Sequence, residues 1–270
     1  MLRDLAATLS SRRARHADSA DLSISRPWES QAGSCGQGRL GRWHDHAWRA
    51  SDNALVKIVE RDAGGALLLV GELHCAGMAP RPDRAAALLA GLRMFGDRPV
   101  AEVADSVCCH AAAWPTPVSW LAFAMIGVLP DGRIEVVTAG GPEPLRLCGR
   151  QDLDVLEPTD ITAPVLPWEP ETVPRRSVLA PAERLLLCTD GVLAARDRLG
   201  TVFRLADHLD VLAHPDLQEA VDGLWNRLRR HIGGPPPGDA AVFLAQRRSS
   251  ASPPAKTSST EHDLSRFPVS

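Results

Sequence analysis

The chain has 270 residues, a formal net charge of −3 and a pI of about 6.3, so it lacks the basic footprint of a nucleic-acid-binding protein. No apolar run approaches the roughly 20 residues of a membrane span, and the first residues lack the apolar core of a signal peptide. The six cysteines include no C-x-x-C pair and several lie in apolar runs, so we expect a reduced, cytoplasmic protein. From the charge and the apolar runs, we expect neither nucleic acid nor a membrane as a partner.

The two ends of the chain have compositions that are typical of disorder. Residues 1–30 carry arginines among serine, alanine and aspartate without a sustained apolar pattern, and residues 248–270 are rich in serine and proline. Segments of this kind bury too little apolar surface to offset the entropy lost on ordering. We therefore predict two disordered ends and one folded domain over residues 50–247, which is long enough for a sizeable core.

The first half of this domain predicts strands, then helices, then a hairpin. Residues 54–59 and 66–73 are strand-like and flank a Gly-Gly turn. A helix is predicted to begin after its N-cap Asp83, and residues 99–113 place valines at helical spacing. Residues 119–140 predict two strands, which the turn Pro130-Asp131-Gly132 joins.

The second half favours an antiparallel architecture. Short strands are predicted near residues 144–148 and 152–156, followed by a proline-rich connection over residues 158–181. A strand then ends at Thr189, and a late helix and a last strand close the domain. Because helices come in pairs between hairpins rather than alternating with strands, we predict an α+β fold with antiparallel sheets and outer helices.

An apolar strand that ends in a carboxylate is the most informative local feature. Residues 184–200 read RLLLCTDGVLAARDRLG, in which Gly191 permits a tight turn and the close approach of a ligand. Taken alone, Asp190 is equally well explained as a metal ligand and as a cap of the following segment. A nucleophile of the haloacid dehalogenase type would require a second aspartate where Val192 stands, which excludes that class.

An alternative set of metal ligands comprises His74, Cys75, Cys109 and His110.

Other segments accompany this one in a defined order. LLLVGELHCAG (67–77) ends an apolar strand at Glu72, DGRIEVVTAGGPEPL follows over 131–145, and GDAAVFLAQR closes the domain over 238–247. The series resembles the PPM-type metal-dependent protein serine/threonine phosphatases, in their bacterial SpoIIE-like branch. That family shows G-D-V-x-G-K-G, T-A-G-H-x-P-P-L, T-D-G-V-x-E-A-R-D and D-D-x-x-L-L at these places. The resemblance covers about residues 50–247 and implies two stacked antiparallel β-sheets flanked by helices, an α-β-β-α sandwich.

The resemblance also implies a chemistry and a ligand set. Mn²⁺ or Mg²⁺ ions held by oxygen ligands would activate the water that hydrolyses phosphoserine or phosphothreonine on a regulatory protein. Asp190 matches the ligand of T-D-G, Glu72 matches the metal-bridging aspartate of G-D-V, and Leu73 matches the residue that lends its backbone carbonyl. Asp239 matches the second aspartate of D-D. The implied partner is a phosphoprotein such as an anti-anti-sigma-type regulator.

Departures from the family pattern affect the metal site most. Glu72 is one methylene longer than aspartate, Gly141 replaces a histidine, and Gly238 replaces the ligating first aspartate of D-D. Asp52 is the only acid where the family has G-G-D-x-x-D. Two dications about 4 Å apart repel strongly without paired carboxylates, so we expect one ion rather than two and a weak phosphatase. The alternatives are a catalytically inactive pseudophosphatase that binds a partner, and an unrelated α+β protein.

Two geometric expectations follow from this assignment. The carboxylates of Glu72 and Asp190 should lie within roughly 4 to 8 Å of each other, close enough to share one ion. Asp239 should point away from the position that a carboxylate at residue 238 would fill, because side chains alternate along a strand.

Overall fold

A computed structural model describes residues 34–40, 44–51, 54–62, 65–75, 92, 98–112, 118–149, 152–156 and 174–247. The predicted disordered ends, the helix after Asp83 except for Leu92, and most of the proline-rich connection lie outside these residues.

Two antiparallel sheets form the centre of the fold. The strands are β1 (Ser34–Leu40), β2 (His44–Ala50), β3 (Ala54–Glu60), β4 (Ala66–Cys75), β5 (Val118–Val128), β6 (Arg133–Ala139), β7 (Leu145–Cys148), β8 (Asp152–Val155), β9 (Arg175–Val178), β10 (Arg184–Cys188) and β11 (Ala241–Arg247). One sheet has six strands in the order β1-β2-β11-β10-β7-β8, and the other has five in the order β3-β4-β5-β6-β9. The α+β fold of two antiparallel sheets is therefore confirmed.

Helices cover the outer faces of the sheets. They are α1 (Val100–Ala112), α2 (Asp190–Leu193), a 3₁₀-helix (Leu205–His208), α3 (Leu209–Leu212) and α4 (Leu217–Ile232). The carboxylate of Asp216 caps α4 by accepting hydrogen bonds from the backbone N–H groups of Gln218 and Glu219, and Gly233 ends the helix at φ +74°. None of the helices in the described ranges is long and apolar enough to cross a membrane.

Apolar strands that are buried on both faces explain the core. Alternate residues of β4 face opposite ways, so Leu68 packs between the sheets while Leu67 and Leu69 pack beneath α1. In β10, Leu187 likewise lies between the sheets while Leu186 packs beneath α4. Continuous apolar runs such as ALLLV and RLLLC are therefore expected in this four-layer arrangement, because neither face meets water.

The folded domain begins earlier than the sequence predicted. The predicted start at residue 50 is wrong, because β2 pairs with β11 from Ala50↔Ala241 to His44↔Arg247, and β1 pairs with β2 outside it. These strands read SCGQGRL and HDHAWRA, which lack a sustained apolar alternation. The proline-rich connection also contains β9, whose RRSV sequence pairs with the edge of β6 through its backbone.

Candidate active site

The turn that carries Asp190 is held to the last strand by a buried threonine. Thr189 is fully buried, and its Oγ1 donates to the carbonyl oxygen of Asp239 at 2.7 Å and accepts from the N–H of Ala241 at 2.7 Å. The N–H of Thr189 donates to the carbonyl of Ala241 at 3.1 Å. Asp190 then begins α2 as an exposed residue, so its carboxylate is presented to solvent at a rigid strand end.

Gly191 is required by the close approach of a carboxylate. A β-carbon at this position would lie 2.5 Å from Oδ1 of Asp239 and 2.6 Å from the backbone nitrogen of Ala240. The side chain of Asp239 therefore packs against the residue that follows Asp190. Only glycine leaves room for this arrangement.

Glu72 provides a buried carboxylate at the corresponding place in the other sheet. It lies in β4 between Ala54 of β3 and Ala122 of β5, and only 3 % of its surface is exposed. Carboxylates are rarely buried to this extent unless they interact with a charge or a metal ion. Leu73 follows opposite Leu121 of β5, and β4 continues beyond it to Cys75, whereas the pairing of β4 with β3 ends at Glu72.

Backbone hydrogen bonds connect the strand opposite Glu72 to the segment that contains Asp239. The N–H of Ala54, the residue opposite Glu72, donates to the carbonyl of Ser51 at 3.1 Å. The N–H of Ser51 donates in turn to the carbonyl of Ala240 at 2.8 Å. Because Ala240 directly follows Asp239, these bonds connect the β3 residue opposite Glu72 to the segment that packs against Gly191 of the Asp190 turn. The separation of 4 to 8 Å between the two carboxylates stays a prediction.

The turn after β6 closes around the same region and explains the missing histidine. Gly140 forms a parallel bridge with Phe123 of β5, and Gly71 of β4 lies against the carbonyl of Ala122. A β-carbon at Gly141 would overlap the backbone of Phe123, well inside 3.0 Å. The turn therefore accepts only glycine at residue 141 unless the backbone moves, and a histidine at this position would require such a movement.

The donors at this edge do not fit a two-ion centre. Among the residues with described side chains, no group of three or more His, Cys, Asp or Glu is arranged to hold a metal ion. The predicted donors, Glu72, Asp190, Asp239 and the carbonyl of Leu73, are all hard oxygen atoms of the kind that Mg²⁺ or Mn²⁺ prefers. Mg²⁺ commonly binds through one or two carboxylates and retains several waters, so these donors suit one ion better than two, and their assembly around it stays a prediction.

The structure describes only part of the alternative set of metal ligands. Cys109 and His110 lie exposed on α1, while the side chains of His74 and Cys75 lie outside the described part of the chain. Asp52 lies outside it as well. The connecting role of Ser51 was missed because a serine after a weakly patterned strand has no distinctive sequence signal.

Comparison with known proteins places this geometry among phosphatase folds. Residues 121–248 match the family model for Stage II sporulation protein E (SpoIIE). The RsbU and RsbW domains of Rv1364c from Mycobacterium tuberculosis are 22% identical with a TM-score of 0.57, and the match covers 78% of this chain and 63% of that one. The chain thus spans less than two thirds of that protein.

Two structures of metal complexes are also similar. RsbX in complex with magnesium is 8% identical with a TM-score of 0.59, over 80% of this chain and 100% of that one. The catalytic domain of the serine/threonine phosphatase PstP in complex with two manganese ions is 17% identical with a TM-score of 0.55, over 77% of this chain and 99% of that one. No curated protein matches the chain. At these identities the structural similarities establish the fold.

Proposed function

Because the chain has the fold of the PPM-type, SpoIIE-like phosphatases, we propose that it is a weak protein serine/threonine phosphatase acting on a regulatory phosphoprotein. The observation that carries the proposal is the set of hydrogen bonds that connects two elements to the segment of Asp239 and Ala240: β3 opposite Glu72, through Ser51, and the Asp190 turn, through Thr189. A phosphoprotein such as an anti-anti-sigma-type regulator is the expected substrate, since the similar structures include RsbU and RsbX.

The chain's own residues have separable roles in this proposal. Glu72, Asp190 and the carbonyl of Leu73 would hold one Mn²⁺ or Mg²⁺. When bound, such an ion polarises a phosphoryl oxygen and lowers the pKa of a water molecule. Thr189 keeps the Asp190 turn fixed against β11, so that little reorganisation is needed when substrate binds. The exposure of Asp190 gives a phosphorylated side chain on a folded partner access to the site.

The same residues explain why catalysis is expected to be weak. Gly238 supplies no carboxylate in the turn before β11, and Glu72 carries its charge one methylene further from the backbone than aspartate does. A second dication would therefore meet repulsion from the first without enough negative charge to offset it. A single ion would supply less positive charge to the phosphoryl oxygens than two ions would.

A pseudophosphatase is the second candidate, and a specific observation favours it. The described side chains offer no three-ligand group, and Gly141 has no room for the family's histidine. A domain with this edge could bind a phosphoprotein through the same surface without turnover.

Release of phosphate distinguishes the two candidates. We expect slow, Mn²⁺-dependent release from a phosphoserine peptide, which EDTA stops and Asp190→Asn abolishes. Asp152→Asn is the matched control, because Asp152 is exposed on the edge strand β8. Binding of a phosphoprotein without any Mn²⁺-dependent release would favour the pseudophosphatase. Full activity in Asp190→Asn would show that the site is elsewhere.

A further inference from the structure

A leucine stands almost fully exposed on a short turn that follows the Asp190 segment. Leu199 is 91% exposed, and the other large hydrophobic side chain that is exposed in the described residues, Val178, is 52% exposed. A single exposed leucine is ordinary on a protein surface. The feature that distinguishes Leu199 is the way in which the turn is held.

The turn is rigid because one aspartate organises its backbone. Oδ1 of Asp197 accepts hydrogen bonds from the N–H of Leu199 at 2.9 Å and from the N–H of Thr201 at 2.8 Å. These backbone bonds, that of Thr201 foremost, lower the pKa of Asp197 below its ordinary value. The guanidinium of Arg196 donates to the carbonyl of Gly200 at 2.8 Å, and Gly200 has φ +83°. An apolar side chain on such a turn loses little conformational entropy when it binds.

The turn rests on the C-terminal end of α4, and the two together form a basic surface. A ring nitrogen of His231 lies 2.9 Å from the carbonyl oxygen of Thr201, and Nε of Arg198 lies 3.4 Å from the place of a β-carbon on Gly233. We define the basic turn surface as Leu199 with four exposed arginines, Arg196 and Arg198 of the turn and Arg229 and Arg230 of the last turn of α4. The nearby acid, Asp197, is engaged by the backbone N–H groups of the turn. This surface is positive in a chain whose formal net charge is −3.

We propose that the basic turn surface docks the phosphoprotein substrate, through an acidic face of that protein with an apolar pocket for Leu199. The inference rests on the proposed function. Arg196 follows Asp190 by six residues, a chain length of at most about 20 Å, so a docked partner reaches the Asp190 turn. The arginines attract an acidic surface and speed its association, and an apolar side chain on a turn with a fixed backbone acts as an anchor.

The composition of the surface favours a protein over a nucleic acid or a membrane. A nucleic-acid site would use the arginines but would leave Leu199 without a role, and such sites usually add aromatic groups for stacking. Membrane attachment requires a larger apolar face than one leucine provides. An apolar pocket within an acidic protein surface uses both features at once.

Binding measured without added metal ions tests the docking separately from catalysis. The probe is the phosphoserine form of an anti-anti-sigma-type regulator, titrated calorimetrically into the full-length chain. We expect Leu199→Ser to weaken binding about tenfold or more, since the leucine would no longer be buried on binding. Arg198→Glu should weaken it further and reduce its dependence on salt. Val178→Ser is the matched control, because Val178 is exposed near Arg175 and Arg176 on β9 of the five-stranded sheet. This substitution should change binding less than twofold.

The outcomes separate this inference from the proposed function. If the wild type dephosphorylates the regulator and Leu199→Ser binds it equally well, the docking inference is wrong while the proposed function stands. If Leu199→Ser loses binding but the wild type releases no phosphate, the docking stands and the catalytic proposal is wrong. Failure of the wild type to bind the regulator overturns the docking inference. So does Leu199-dependent binding to phosphatidylglycerol vesicles or to a DNA duplex in place of the regulator.

Discussion

Substitution of Thr189 by valine should destabilise the domain and loosen the candidate site together. Valine keeps the shape of the threonine but removes the oxygen that bonds both the carbonyl of Asp239 and the N–H of Ala241, each at 2.7 Å. Ala241 is fully buried, so its N–H would lose its partner away from water, at a cost of about 1–3 kcal/mol. Asp239 is half-exposed and its carbonyl can bond water, so that loss is nearer to ~1 kcal/mol.

Together these losses predict a decrease of about 2–4 kcal/mol in the free energy of unfolding. For a domain of this size that corresponds to a fall in Tm of roughly 4–16 °C. Scanning calorimetry and urea unfolding measure both quantities. Ser106→Ala is the matched control, because its hydroxyl makes one exposed hydrogen bond to the carbonyl of Glu102 at 2.7 Å. The control should change stability by less than about 0.5 kcal/mol.

The two substitutions are compared on the same scale. A loss for Thr189→Val that is no larger than the loss for Ser106→Ala would refute the reasoning that Thr189 connects β10 to β11. A large loss of stability with unchanged Mn²⁺ affinity would refute the further claim that this connection positions Asp190.

Three further predictions concern other parts of the fold and the site. Gly141→Ala should lower Tm by several degrees, because the new β-carbon would overlap the backbone of Phe123. Gly234 has open space around it, so Gly234→Ala should leave Tm unchanged. Equal Tm values for the two variants would contradict the steric account. His46 stacks on Phe243 in the core, and burial lowers its pKa, although the charge of Asp45 opposes that shift. The domain should therefore have its full stability above about pH 6.5 and lose part of it as the pH falls toward the lower pKa of His46 in the folded state. His46→Leu should flatten the pH dependence of the urea midpoint between pH 7.5 and pH 5.5 (about one unit either side of the ordinary His pKa), and an unchanged slope would assign the acid sensitivity to another group. Gly238→Asp combined with Glu72→Asp should raise Mn²⁺-dependent phosphate release well above the wild type, and no change would mean that another acid already completes the site.

The parts of the fold that the sequence predicted are those with a local cause. The strands β4 and β10 are apolar on both faces because two layers cover them, and α4 carries its cap and its apolar stripe within its own residues. The strands β1 and β2 were not predicted because they have no apolar pattern of their own: β2 forms through backbone pairing with β11, almost 200 residues later, and β1 through pairing with β2. Their residues become interpretable only when that partner is known.

The candidate site shows the same division between local and long-range causes. Asp190 and Gly191 could be identified from a short motif, since a strand, a turn and a carboxylate follow one another directly. The reason for Gly141 is a contact with the backbone of Phe123, and the connection from Ser51 to the Asp239 segment is a hydrogen bond to Ala240. Neither contact has a signal in the sequence around these residues, because each depends on which strands are neighbours in a sheet: β5 and β6 for Gly141, and β2 and β11 for Ser51.

Calorimetric titration of the full-length chain with Mn²⁺ tests the central claim most directly, namely that this phosphatase fold retains a reduced metal site built on Glu72 and Asp190. The account predicts about one bound ion per chain, loss of binding in Asp190→Ala, and a second ion when Gly238→Asp is introduced. Two tightly bound ions in the wild type, or unchanged binding in Asp190→Ala, would contradict it.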